Sequence, residues 1–354
     1  MSAELEDLLH EAHKKLLAGA PKQALKRLDR ARSLAPDDPD VLALRGKALV
    51  DLERFDEARE DLERAASADP PSAVALVELG WLELGSIETD DEETPRDLAR
   101  RALEAARAID PPELDVLADA HALVLETIFE SPNPQRGALE AAEEAAKDLG
   151  WSDPVALLGK GRALFYNARW EEALAPLRMA SEREKKNAVA CYYRGAALER
   201  LERLAEADEQ LALAARLDPE RYVVPFRLSD EAFDAAVEEA IASLPEPLGK
   251  VLEEDCVISR ESFPAEEDVA NEGVDPLMLG AFLGPSHSER HPAEAAPANP
   301  VAEGPTDVVL YRRNLEKSCS TRKELIREIQ ITALHEIGHE LGFEEGGVDA
   351  LGLE

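Results

Sequence analysis

Cysteine is scarce in this chain: Cys191, Cys256 and Cys319 are the only three among 354 residues. They are odd in number, far apart and in no Cys-x-x-Cys arrangement. That excludes a disulfide framework and predicts reduced, mostly packed thiols in a cytoplasmic protein. Aromatic residues are only 5% of the composition, while alanine and leucine abound, a bias that favours helices over sheets. Positive charge is the next shortage. Lysine and arginine number 40 against 75 acidic residues, for a net charge of −35. Nearly half of it, −17, falls in residues 221–354, so the acidity is spread along the chain and is not a tail. Such a surface repels phosphates, which argues against nucleic acid and against an anionic membrane as partners. No window approaches 18 apolar residues, so no membrane span is expected. The N-terminal "MSAELEDLLHEAHKK" has no apolar run before a cleavage site, so no secretory signal is expected either. The glycine-rich pieces "GAFLG" and "EGGVDALG" lack the lysine of a phosphate loop, and no Gly-x-Ser-x-Gly nucleophile turn occurs.

What is present begins with a repeat. Gly46, Ala58, Leu62, Ala65 and Pro70 correspond to Ala12, Ala24, Leu28, Ala31 and Pro36, each 34 residues earlier. Gly161, Ala173, Leu177 and Ala180 recur 34 later as Gly195, Ala207, Leu211 and Ala214, closed by Pro219. Small residues let antiparallel helices approach closely, and the proline ends the second helix of each pair. Two degenerate copies lie between. One runs from Gly80 to Pro111 with an acidic insertion at 85–97, and the other covers roughly 114–150. The period and residue order resemble the tetratricopeptide repeat family over residues 5–220, about six units. The resemblance implies an N-terminal α-solenoid domain, 1–220, whose groove takes a protein or peptide partner. In the family's register Arg162, Phe165, Tyr166 and Tyr192 fall at groove positions, an arginine among aromatics. The same residues could instead cover a neighbouring helix.

After residue 220 the pattern changes, and a small α+β domain is expected over 221–354. Ser229 or Asp230 caps an amphipathic helix running to about Leu244. "KVLEEDCVIS" (250–259) is a strand candidate, "PLMLGAFLG" (276–284) a short apolar piece, and "DVVLYRR" (307–313) the clearest strand. Five prolines within 285–306 predict a mobile loop. The last helix starts near Ser320 or Thr321, with an apolar stripe at Ile326, Ile329, Ala333, Ile337 and Leu341.

That helix carries "TALHEIGHELGF" (332–343). Positions i and i+4 stack on one helical face, so His335 and His339 can hold one cation through their imidazoles. Glu336 points beside that cation, where a carboxylate can take a proton from a zinc-bound water. Gly342 suits a helix stop in the left-handed conformation, letting Glu344 and Glu345 return toward the histidines as a third, oxygen ligand. The stretch "HEIGHELGFEEGGVDALGL" is similar to a family of minimal bacterial zincin-like metallopeptidases, whose His-Glu-x-x-His is followed by a glycine and an aspartate. "FDAAVEEAIASLP" and "LYRRNLE" extend the likeness to about 225–354. The resemblance implies Zn2+ held by His335 and His339, with Glu336 as general base. It places Glu345 where the family has aspartate; Glu344 and Asp349 stay open as substitutes. The expected activity is zinc-dependent peptide hydrolysis. The alternative is a repeat scaffold or adaptor whose zinc site is structural or vestigial. Tyr311 could reach a developing oxyanion, and it and Thr332 could support the site by hydrogen bonding, although a strand tyrosine also serves as packing. His287 and His291 lie in the proline-rich loop, where helical spacing means little.

Overall fold

The computed structural model describes residues 2–85, 93–244, 256–283 and 306–341, the last few of these, 337–341, as backbone. The acidic insertion (for the most part), the proline-rich loop with His287 and His291, and the segment carrying Glu344, Glu345 and Asp349 lie outside those residues.

Six helix pairs open the chain: α1 (Ala3–Leu17) with α2 (Pro21–Leu34), α3 (Pro39–Val50) with α4 (Phe55–Ala66), and α5 (Ala73–Leu84) with α6 (Glu93–Arg107). Then come α7 (Leu114–Phe129) with α8 (Ala138–Leu149), α9 (Pro154–Tyr166) with α10 (Trp170–Arg183), and α11 (Ala188–Arg200) with α12 (Leu204–Leu217). Side chains of Ser2, Asp38, Ser72 and Asn187 accept first-turn N–H groups and so fix the starts of α1, α3, α5 and α11. The small residues of the repeat lie where helices touch. A Cβ added at Gly195 would sit 2.7 Å from Leu211 Cγ and 3.1 Å from the Ala207 carbonyl oxygen. Ala12, Ala24, Ala58, Ala173 and Ala207 are fully buried.

The repeat has a member that residue identity hides. Gly19, Glu53, Ala168 and Glu202 all adopt positive φ, between 56° and 64°, in the turn between paired helices. The next residue's N–H reaches back to close the first helix: Arg54 to Leu49, Arg169 to Leu164 and Arg203 to Leu198, each at 2.9 Å. This is a left-handed helix stop made mostly without glycine.

The terminal domain contains α13 (Asp230–Ala242), β1 (Cys256–Glu261), α14 (Glu266–Asn271), β2 (Gly280–Leu283), β3 (Thr306–Tyr311), α15 (Arg312–Ser318) and α16 (Arg322–Leu341). The strands form a sheet of order β1-β3-β2, with β1 parallel and β2 antiparallel to β3. "PLMLGAFLG" therefore contributes an edge strand, and the two arginines of "DVVLYRR" open a helix instead of extending β3. Thr321 Oγ1 accepts the Glu324 N–H, and Glu324 accepts from Ser320, which starts α16 as expected. The domain core joins Phe233, Val237 and Ile241 of α13 to Val308 and Leu310 of β3, Leu315 of α15, and Leu325, Ile329 and Ala333 of α16.

Helix pairs end at Leu217, close to the expected change of architecture at 220/221. Packing divides the chain elsewhere. Two compact units cover 1–163 and 164–354, so the last repeats pack as one body with the terminal domain.

Candidate metal centre and its surroundings

Helix α16 is continuous through Leu341, so the backbone of His335 and His339 lies one turn apart. The His335 imidazole is exposed and Glu336 is half-buried. The buried face of α16 is broader than the apolar stripe predicts. Leu325, Thr332 and Leu334 join Ile329 and Ala333 in the interior, while Ile326 and Ile331 are half-buried.

Edge strand β2 lies beside Glu336. A Cβ added at Gly280 would come 2.6 Å from Thr332 Cγ2, 3.0 Å from the Val309 carbonyl oxygen and 3.6 Å from Glu336 Cγ. Only glycine lets the strand approach α16 this closely. Thr332 is buried and packs its methyl against Gly280. Tyr311 is buried, and its phenol is pushed above its ordinary range, first by burial, then by the negative charges of Asp268, Glu261 and Glu336. Its proton is held firmly at neutral pH.

His335 and Glu336 are consecutive residues on α16, about 100° apart around the helix. The His339 side chain and the third ligand, Glu345 with its substitutes Glu344 and Asp349, lie outside the described side chains. Among the described residues no group of three or more His, Cys, Asp or Glu side chains could hold a metal ion. Of the expected ligands the described side chains include His335, whose exposed imidazole is an ordinary zinc donor; Glu336, the expected base, follows it on the same helix.

Three of the four residues expected at the repeat groove are buried. Arg162 is buried, forms an ion pair with Glu126 and stacks its guanidinium 3.9 Å from the centre of the Phe129 ring. Phe165 and Tyr166 are core: Phe165 is 1% exposed, and the Tyr166 hydroxyl lies 3.0 Å from that of Tyr193. These three side chains present packing and not a surface. Tyr192 stacks on Tyr222 with ring centres 4.7 Å apart. It lines an open cavity of about 320 Å³ with Tyr193, Arg221, Tyr222, Val223, Lys317 and Ser318.

Sequence reasoning passes over a buried ionic cluster at the base of the terminal domain. Glu199 of α11 and Glu316 of α15 are both fully buried carboxylates. Lys317 Nζ donates to Glu199 Oε2 (2.8 Å) and to Asn314 Oδ1 (2.9 Å). Arg227 bridges Glu199, Asp208 and Glu316. Glu316 also accepts from Arg312 and Arg313, each at 2.9 Å, and from the Leu228 N–H. Burial lowers the Lys317 ammonium pKa, while Glu199 opposes part of that effect. The charges satisfy one another, which is what makes their burial tolerable.

Residues 253–353 match the model of the zincin-like metallopeptidase family, and residues 15–79 match a tetratricopeptide repeat model. The chain thus carries a tetratricopeptide α-solenoid followed by a small α+β zincin-like domain. Among solved structures it is similar to YrrB, described as a TPR protein with an unusual peptide-binding site. That likeness has 19% identity and a TM-score of 0.38, over 55% of this chain and 93% of that one. It is also similar to Pseudomonas aeruginosa pilF, at 16% identity and TM-score 0.49, over 66% and 97% of the two chains. A tetratricopeptide repeat protein from Parabacteroides merdae matches at 13% identity and TM-score 0.43, over 65% and 82%. At these TM-scores the likenesses carry no weight of their own, and the repeat assignment rests on the helix pairs and the match over 15–79. No curated protein matches. Among the described residues no helix is long and apolar enough to cross a membrane.

Proposed function

We propose that the chain is a zinc-dependent metallopeptidase whose repeats engage a protein or peptide partner. The observation that supports it most is the continuous helix bearing His335, Glu336 and His339, with Glu336 beside an antiparallel edge strand, inside a segment that matches the zincin-like family. His335, His339 and Glu345 would hold the ion. Zinc, when bound there, supplies Lewis acidity that eases deprotonation of water and polarises a peptide carbonyl. Glu336 takes the proton of the attacking water and delivers it to the leaving amine, a role suited to a half-buried carboxylate that still reaches solvent. The repeats bring the partner near, since stacked helix pairs expose a continuous groove; with Arg162, Phe165 and Tyr166 buried, Tyr192 is the expected groove residue left to offer surface.

The test pairs metal analysis with one substitution. Purified protein is expected to hold one zinc per chain, and Glu336→Gln to keep that zinc while cleavage of unfolded protein substrates falls by roughly 10²-fold or more. Protein that binds no zinc, or a Glu336→Gln variant that cleaves like the parent, leaves the scaffold reading.

A further inference from the structure

Arg200 closes α11 and reaches out of the repeat into the terminal domain. Its guanidinium lies between the rings of Trp170 (4.7 Å) and Phe263 (4.5 Å). It donates to the carbonyl oxygens of Pro264 (2.7 Å) and Pro276 (2.9 Å). The first carbonyl follows β1 and the second precedes β2. The Pro276 carbonyl also accepts from Asn314 Nδ2 (3.0 Å), which donates to the Met278 carbonyl as well (2.7 Å). Asn314 is oriented by Lys317, and Lys317 by Glu199, the residue next to Arg200. Two adjacent repeat residues therefore hold the same short approach to β2 from two directions.

Downstream there is little slack. The Leu279 carbonyl accepts the Tyr311 N–H at 2.8 Å, and Gly280 then meets Thr332 at a distance no Cβ could share, with Glu336 Cγ in ordinary contact beside it. The arginine is costly for a role that filling space would meet. Its described acceptors are carbonyls, and burial pushes its pKa down to about 10. Two carbonyls on separate segments call for a planar, forked donor, which neither lysine nor an apolar residue supplies.

We propose that Arg200 is a positioning residue: with Glu199 acting through Lys317 and Asn314, it fixes segment 276–279 so that β2 seats Gly280 against Thr332 and Glu336. The kinetic part of this inference rests on Glu336 being the general base; the structural part does not.

Arg200→Gln and Arg200→Lys are compared with the parent in the full chain, first by thermal melting, then by amide hydrogen exchange and peptide hydrolysis with zinc present. Exchange across 277–283 is expected to rise about tenfold or more in Arg200→Gln and less in Arg200→Lys, with α13 and the first three helix pairs unchanged. Hydrolysis is expected to lose about tenfold in kcat with KM within about twofold, since misplacing a catalytic base by an ångström or less costs turnover more than binding. Gly280→Ala, which presses on the same contact from the other side, is expected to show the same kcat loss. Unchanged exchange at 277–283, or a uniform rise through residues 164–354, overturns the proposal. So does a kcat loss that only tracks the folded fraction. Should Arg200→Gln not fold, Arg200→Lys decides on the same criteria. A parent that cleaves nothing defeats the proposed function, and the exchange measurement then decides this inference alone.

Discussion

Ala168 shows at one position how the repeat trades sequence for geometry. Its φ of 56° belongs to the left-handed region, which an alanine occupies at a cost and glycine does not. Ala168→Gly is expected to raise stability by about 0.5–1 kcal/mol in urea unfolding, with the usual flexibility of glycine in the unfolded chain setting the upper bound. His121 gives the opposite kind of residue effect. It is 1% exposed and its Nε2 lies 2.8 Å from Asp148, with Arg107 on the same carboxylate and Glu144 near. Burial, the largest influence, holds its pKa below the ordinary 6.5, although Asp148 and Glu144 pull the other way. The folded state then binds fewer protons than the unfolded one, so the stability this histidine leaves in place above pH 6.5 is lost as pH falls below it. Urea unfolding at pH 7.5 and 5.5, followed for parent and His121→Gln, should show a smaller loss in the variant. Neither residue announces itself in the sequence. Ala168 looks like any helix former, and a lone histidine in a repeat helix reads equally well as surface.

At the scale of elements, the helices and the strongest strand follow from periodicity. The 34-residue spacing of small residues marks surfaces that must approach closely, and six pairs form where it predicts them. Gly195→Ala should cost about 1–3 kcal/mol, because Leu211 and the Ala207 carbonyl occupy the space a methyl would need; thermal melting of the full chain checks it. The helix that carries His335 and Glu336 was legible for the same reason, and its continuity puts the backbone of positions i and i+4 one turn apart. The edge strand β2 was less so. Four residues with a glycine at one end carry no alternation to read, and its importance comes from Thr332 and Glu336, which follow Gly280 by 52 and 56 positions and meet it only in the folded chain. Phe165 and Tyr166 misled in the other direction. A family register can say which face of a helix turns toward a groove, but not that neighbouring tyrosines, here Tyr193, close over it.

At the scale of the whole molecule, the buried ionic cluster was beyond the reach of sequence. Glu199 and Lys317 are 118 positions apart, and in a chain that is 32% charged an acid near a helix end looks like solvated surface. Its effect is large because each charge depends on partners from separate elements. Glu199→Gln is expected to destabilise residues 164–354 by about 3–5 kcal/mol, since Lys317 would be left buried without its acid while Arg227 keeps Asp208 and Glu316. The same dependence bears on where the chain can be cut. A protein started at residue 221 loses Glu199, Arg200 and Asp208 together and is expected to lack a cooperative melt by circular dichroism. One started near Asp153 keeps α9 to α12 and should show it.

Repeat arrays change length readily, because a module that touches only its neighbours can be duplicated or dropped without disturbing distant ones. The pair formed by α11 and α12 has given up that freedom. By lending Glu199 and Arg200 to a foreign fold, it has become a fixed terminus. A change in module number is therefore expected to be tolerated upstream of α9, while the last repeats stay with the domain they pack against.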